Sequence, residues 1–181
     1  MAEEKRRRLI PLDTSSLVGS TLLGVAAALV FQITDRIDAM LWPGFFIFGG
    51  TTGVVFFGAG SVLFCLTNLI AGIINPAISL ATASSPIAPF WIFGNTARIV
   101  VASILVWRIK PHTLKQYFMV LVPAEIVSNL VNQPLVAMAF GVPFPVMLLA
   151  IVVSSSTSLW GSVLTKALVD SLEKAGIKRS Y

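Results

Sequence analysis

The sequence predicts an all-α integral membrane protein, a bundle of six transmembrane helices with both termini in the cytoplasm. Of its 181 residues, 56% are hydrophobic and only 12% are charged, and the mean hydropathy is +0.87. Soluble domains carry about 25% charged residues, so this composition excludes an ordinary globular enzyme. The predicted spans cover residues 17–33, 43–57, 62–80, 89–106, 116–139 and 146–169.

The basic residues predict the orientation of these spans. Eleven of the thirteen Lys and Arg residues fall in three clusters beside apolar runs. Cytoplasmic loops are enriched in Lys and Arg, so we expect all three clusters to be cytoplasmic. They are Lys5–Arg8; Arg108, Lys110 and Lys115; and Lys166, Lys174, Lys178 and Arg179. The predicted division is a cytoplasmic tail at 1–14, a transmembrane domain at 15–169 and a cytoplasmic tail at 170–181. No basic and aromatic surface remains for nucleic acid.

The first span carries a ridge of small residues. Ser16, Ser20, Gly24 and Ala28 recur every four residues, which places them on one helix face. Small residues at this spacing let a second helix approach closely in the membrane. The ridge therefore indicates either packing within the bundle or docking to another membrane protein. The charged stretch 34–42 that follows is predicted to be an external loop.

The second and third spans are predicted to be joined by a tight cytoplasmic turn at Gly58–Ser61. The second span is rich in Gly and Phe, which favours close packing. The third span presents Asn68, Gly72, Asn75 and Ser79 on one helical face. An alternative is that one of these two spans is re-entrant.

The fourth and fifth spans carry the most informative polar residues. Trp91, Asn95 and Arg98 share a face of the fourth span. Glu125, Ser128, Asn129, Asn132 and Gln133 form a stripe along the fifth. Polar side chains facing lipid are costly, so the stripe must face the bundle interior or a wet cavity.

Arg98 and Glu125 are expected to meet at the middle of the membrane. Each lies about nine residues, or roughly 14 Å, from one end of its span, in a core about 30 Å thick. An isolated charge at that depth is costly, so we expect the two to pair directly or through water. The pair serves either the structure alone or ligand binding as well.

Together these residues predict a binding site for a small solute. The predicted site residues are Asn75, Trp91, Asn95, Arg98, Glu125, Asn129, Asn132 and Gln133. Amides and aromatic faces suit a small, flat, polar organic molecule. The lone Cys65 and lone His112 predict neither a metal site nor a cofactor. No nucleophile motif or phosphate-binding loop occurs, which favours a protein without catalytic activity.

The chain resembles one known family in three features. They are the ridge of Ser20, Gly24 and Ala28, the Gly-rich second span and the polar residues on spans three to six. These features, over nearly the whole chain, are similar to the substrate-binding S components of energy-coupling factor (ECF) transporters. The resemblance implies a plasma-membrane subunit that binds a water-soluble vitamin or precursor, such as a thiamine-like, riboflavin-like or queuosine-precursor compound, from outside. It also implies partners: a membrane scaffold (T) subunit, to which the ridge would dock, and two cytoplasmic ATPase subunits.

Other function classes fit the same composition. The protein could be a structural or assembly subunit of a membrane complex, in which the polar faces pack together. A small channel or an intramembrane enzyme is a further alternative. A copurified small molecule would distinguish the binding interpretation from the assembly interpretation.

Overall fold

The computed structural model describes residues 14–41, 45–82 and 87–181, and within these ranges the regular structure is entirely α-helical. The six described helices are α1 (Thr14–Leu41), α2 (Phe48–Leu63), α3 (Cys65–Ala81), α4 (Ala88–Ile109), α5 (Leu114–Phe140) and α6 (Phe144–Lys174). The predicted all-α class is confirmed. The predicted tail at 1–13 and parts of two predicted external loops, 42–44 and 83–86, lie outside the described residues.

Four of the described helices, α1, α4, α5 and α6, are long and apolar enough to cross a membrane. The remaining two, α2 and α3, have 16 and 17 residues and are shorter than the roughly 20 that a full span needs. Large apolar side chains point outward from the long helices, and Leu22 and Trp160 are 67% and 74% exposed. Such an apolar outer surface is compatible with a lipid environment.

Helix α1 continues through most of the stretch predicted as an external loop, so that prediction is wrong as far as Leu41. Neither Gly nor Pro interrupts the chain between Gly24 and Leu41. Asp38, only 1% exposed, accepts hydrogen bonds from the backbone N–H groups of Phe48, at 3.0 Å, and Gly49, at 2.8 Å. Its carboxylate thereby satisfies two free donors at the start of α2.

The predicted turn at Gly58–Ser61 is also wrong, because α2 runs through it to Leu63. The helix instead breaks at Phe64, whose φ and ψ are −146° and 88°. Gly58 serves close packing: a Cβ there would lie 2.8 Å from the Thr165 Cγ2 atom. A Cβ at Gly60 would overlap the Asn68 side chain. Gly58 and Gly60 are therefore required for close contacts with other helices rather than for a turn.

The ridge on α1 packs inside the bundle against α3. Ser20, Gly24 and Ala28 are buried, and the Thr67 hydroxyl donates a hydrogen bond to the Ser20 carbonyl at 3.3 Å. A Cβ at Gly24 would lie 2.8 Å from the Ile70 Cγ2 atom. Packing within the bundle was one of the two interpretations of this ridge, and docking of Ser16, Ser20, Gly24 and Ala28 to a scaffold subunit stays a prediction. The small residues bring two helices of this chain together.

The half of the bundle that carries the α2–α3 junction and the C-terminal residues is filled by an apolar core. Its members come from four helices, α2, α4, α5 and α6: Val54, Ala59, Val62, Leu63, Ala102, Val106, Tyr117, Val120, Leu121, Ala124 and Val169. In the predicted tail, α6 extends to Lys174 and the residues after it fold back. Ser180 donates to the Val62 carbonyl at 2.8 Å, and the Tyr181 hydroxyl donates to the Pro111 carbonyl at 2.7 Å. Burial raises the pKa of the Tyr181 phenol.

Candidate solute-binding cavity

A cavity of about 70 Å³ lies in the other half of the bundle. This volume corresponds to roughly five water molecules. All eight residues predicted for the site line the cavity: Asn75, Trp91, Asn95, Arg98, Glu125, Asn129, Asn132 and Gln133. The sequence thus identified residues that three different helices bring to one place. Their role in binding stays a prediction.

The antiparallel course of neighbouring helices brings these residues together. Trp91 lies near the start of α4, whereas Asn132 and Gln133 lie in the last third of α5. Helices α4 and α5 approach closely at Gly94, where a Cβ would lie 3.0 Å from the Ser128 carbonyl oxygen and 2.9 Å from the Asn132 Cβ. A glycine is required at this crossing, and it lets the polar stripe of α5 reach the cavity.

Arg98 and Glu125 form an ion pair in the cavity wall, so the predicted pairing is confirmed. Arg98 Nη2 donates to Glu125 Oε1 at 3.0 Å, and Nε lies 2.8 Å from Oε2 without hydrogen-bond alignment. The side chains are 12% and 2% exposed. The guanidinium carbon also lies 5.0 Å from the centre of the Phe57 ring. Opposite charge and an aromatic face therefore both stabilise the buried cation.

Amide side chains form hydrogen bonds in the cavity walls on both sides of the Arg98–Glu125 pair. On α5, Asn129 Nδ2 donates to Glu125 Oε1 at 3.2 Å and to the Ser155 hydroxyl at 3.3 Å. On α1, Gln32 Nε2 donates to Asn75 Oδ1 at 2.7 Å and to the Ser79 hydroxyl at 2.8 Å. These hydrogen bonds fix the positions of the polar groups, which favours a preformed site.

Asn132 differs from the amides that brace the walls. Its Oδ1 atom is buried and accepts no hydrogen bond from any residue that the structure describes. Leaving a buried acceptor unsatisfied costs about 1–3 kcal/mol. A donor group on a bound solute would remove that cost.

Asp35 is the most consequential cavity residue that sequence reasoning missed. It lies on α1 and forms a side-chain hydrogen bond with Asn75, and a Cβ at Gly49 would overlap its carboxylate. The helical spacing of Phe31, Asp35 and Asp38 was a usable signal, because it continues the inward face of α1. The other wall residues outside the predicted site are Phe31, Phe46, Gly49, Gly50, Gly94, Ser128 and Ser154.

Comparison of the chain with protein-family models, curated proteins and solved structures gives no significant match.

Proposed function

We propose that this protein binds a small polar organic solute within the membrane, as the substrate-specific subunit of an ATP-driven importer of the ECF type. The main support is the cavity: eight polar or aromatic side chains from α3, α4 and α5 line one space inside the bundle. Polar groups are expensive in a membrane and usually mark a functional path or site. If these polar residues served the structure alone, we would expect side chains to fill that space.

The proposed orientation places both termini in the cytoplasm of a plasma-membrane protein, with all six helices embedded in the bilayer. The two basic clusters within the described residues, at 108–115 and 166–179, support it, because they lie at the end of the bundle opposite the cavity. The cavity then faces the external half of the membrane, where an imported solute first arrives. Nothing in this proposal requires a chemical step, and we propose that the chain is not an enzyme.

The proposed importer needs partner chains to supply energy. The 181-residue sequence contains no G-x-x-x-x-G-K-[ST] motif for binding ATP. By its resemblance to ECF S components, we propose that the chain works with a membrane scaffold subunit and two cytoplasmic ATPase subunits. The solute would then be a vitamin or vitamin precursor.

Cysteine labelling tests the orientation. In a Cys65→Ala background, Thr82→Cys at the end of α3 should react with a membrane-impermeant maleimide added outside intact cells. His112→Cys, in the loop before α5, should react only after the membrane is opened. Both positions are exposed, so access to the side chain itself does not differ. The reverse labelling pattern would contradict the proposed orientation.

Asn132→Ala tests solute binding. Because Asn132 Oδ1 has no hydrogen-bond partner among the described residues, its loss should weaken binding of the copurified compound roughly 5- to 150-fold with little change in stability. Affinity is measured by titration, and stability by thermal unfolding in detergent. The matched control is Asn68→Ala: this buried asparagine lies outside the cavity and donates to Ser61, so its loss should lower stability and leave affinity unchanged. Equal affinities for wild type and Asn132→Ala would place binding elsewhere.

A further inference from the structure

The charges at the cavity do not cancel. Arg98 and Glu125 neutralise each other, and Asp38 accepts two backbone hydrogen bonds at the positive end of α2. Asp35 has an amide partner, Asn75, and its charged neighbour is another carboxylate, Asp38. Within the described residues, no Lys or Arg lies within ion-pair distance of Asp35. When Asp35 is ionised, the cavity therefore has one negative charge more than its cations can balance.

Aromatic rings accompany this carboxylate. Phe31 lies one helical turn before Asp35 on α1, and Phe46 and Trp91 also line the cavity. Phe46 and Trp91 pack edge to face, with ring centres 5.7 Å apart and planes at 82°. Aromatic faces attract cations, most strongly where water is excluded.

We propose that the solute carries an organic ammonium group, which binds between the Asp35 carboxylate and the rings of Phe31, Phe46 and Trp91. This inference rests on the proposed function, since it names the chemical class of the solute for the same cavity. A cationic solute favours the ionised form of Asp35 and compensates its charge, whereas a neutral or anionic one would leave that charge unbalanced.

An inorganic divalent cation fits the same walls poorly. Calcium takes six to eight oxygen ligands, commonly with several carboxylates. Glu125 is already committed to Arg98, and Asp38 to the start of α2, so Asp35 remains as the available carboxylate in the described wall. The aromatic neighbours offer faces rather than oxygen ligands. An organic cation can contact both the Asp35 carboxylate and the aromatic rings.

Two probes of similar size test the proposal: tetramethylammonium, which is cationic, and N-methylacetamide, which is neutral. Isothermal titration of the full chain in detergent should show tetramethylammonium binding to wild type. Asp35→Asn keeps the shape of the side chain and should weaken that binding roughly 30-fold or more. Trp91→Leu should weaken it roughly fivefold or more. The matched control is Asp170→Asn, which removes the same charge beside Lys166 and Arg179 at the other end of the bundle and should have no effect.

The outcomes separate this proposal from the one on which it rests. If N-methylacetamide binds and tetramethylammonium does not, or if Asp35→Asn leaves tetramethylammonium affinity unchanged, the cation inference is overturned and solute binding stands. Displacement of tetramethylammonium by equimolar sodium or potassium would also overturn it, in favour of an inorganic ion. If neither probe binds and no compound copurifies, both proposals fail.

Discussion

Replacing Arg98 with Met should lower the free energy of unfolding by about 3–5 kcal/mol, the largest effect expected for a single change in the cavity wall. Arg98 makes two contacts with the Glu125 carboxylate, which is 2% exposed. Without the guanidinium, that carboxylate stays buried and uncompensated, or takes up a proton. Thermal unfolding in detergent measures the loss.

The double variant Arg98→Met/Glu125→Gln provides the matched comparison. It removes both charges, so no uncompensated ion remains, and its loss should be smaller than the sum of the two single losses. Asn129 also donates to Glu125, and a glutamine still offers that amide an oxygen acceptor. Strictly additive losses would contradict direct coupling between the two residues.

Gly24→Leu is expected to lower the free energy of unfolding by about 3 kcal/mol. A Cβ at Gly24 would lie 2.8 Å from Ile70 Cγ2 and 3.3 Å from the Thr67 carbonyl oxygen, and that backbone atom cannot move aside as a side chain can. Helices α1 and α3 would have to separate, which would also disturb the cavity walls that they contribute. The measurement is the thermal midpoint of the purified protein.

Ala26→Leu is the control for Gly24→Leu. Ala26 lies two residues along α1 on its exposed face, so the same side chain there should leave the midpoint nearly unchanged. If Gly24→Leu instead folds normally and loses only its association with partner chains, the ridge would be a docking surface after all. That result would contradict the internal packing of α1 on α3.

The positions of the cavity residues were largely predictable because an apolar helix leaves few places for polar side chains. The stripe on α5 and the Arg98–Glu125 pair could not face lipid at acceptable cost, so helical spacing alone placed them together inside the bundle. The same argument identified Trp91 and Asn95 on α4 and Asn75 on α3. In each case the local pattern and the packing pointed to one face.

The errors in the predicted fold arose where the local sequence pattern was compatible with two different structures. Asp35 and Asp38 were predicted to lie in a solvated loop because the N–H groups that donate to Asp38, those of Phe48 and Gly49, belong to another helix. Gly58 and Gly60 fit a turn as well as a close helix contact, and only their neighbours Thr165 and Asn68 decide between them. The ridge on α1 predicted a closely packed neighbouring helix, but its spacing alone did not identify that helix as α3.

The most direct measurement is an experimental structure, by crystallography or cryo-electron microscopy, of the full chain purified with the compound that it carries. We expect density for a small organic molecule in the cavity, with a donor within hydrogen-bond distance of Asn132 Oδ1 and a cationic group beside Asp35. A cavity that holds only water or a lipid chain, or a compound bound elsewhere on the protein, would contradict the proposed solute site.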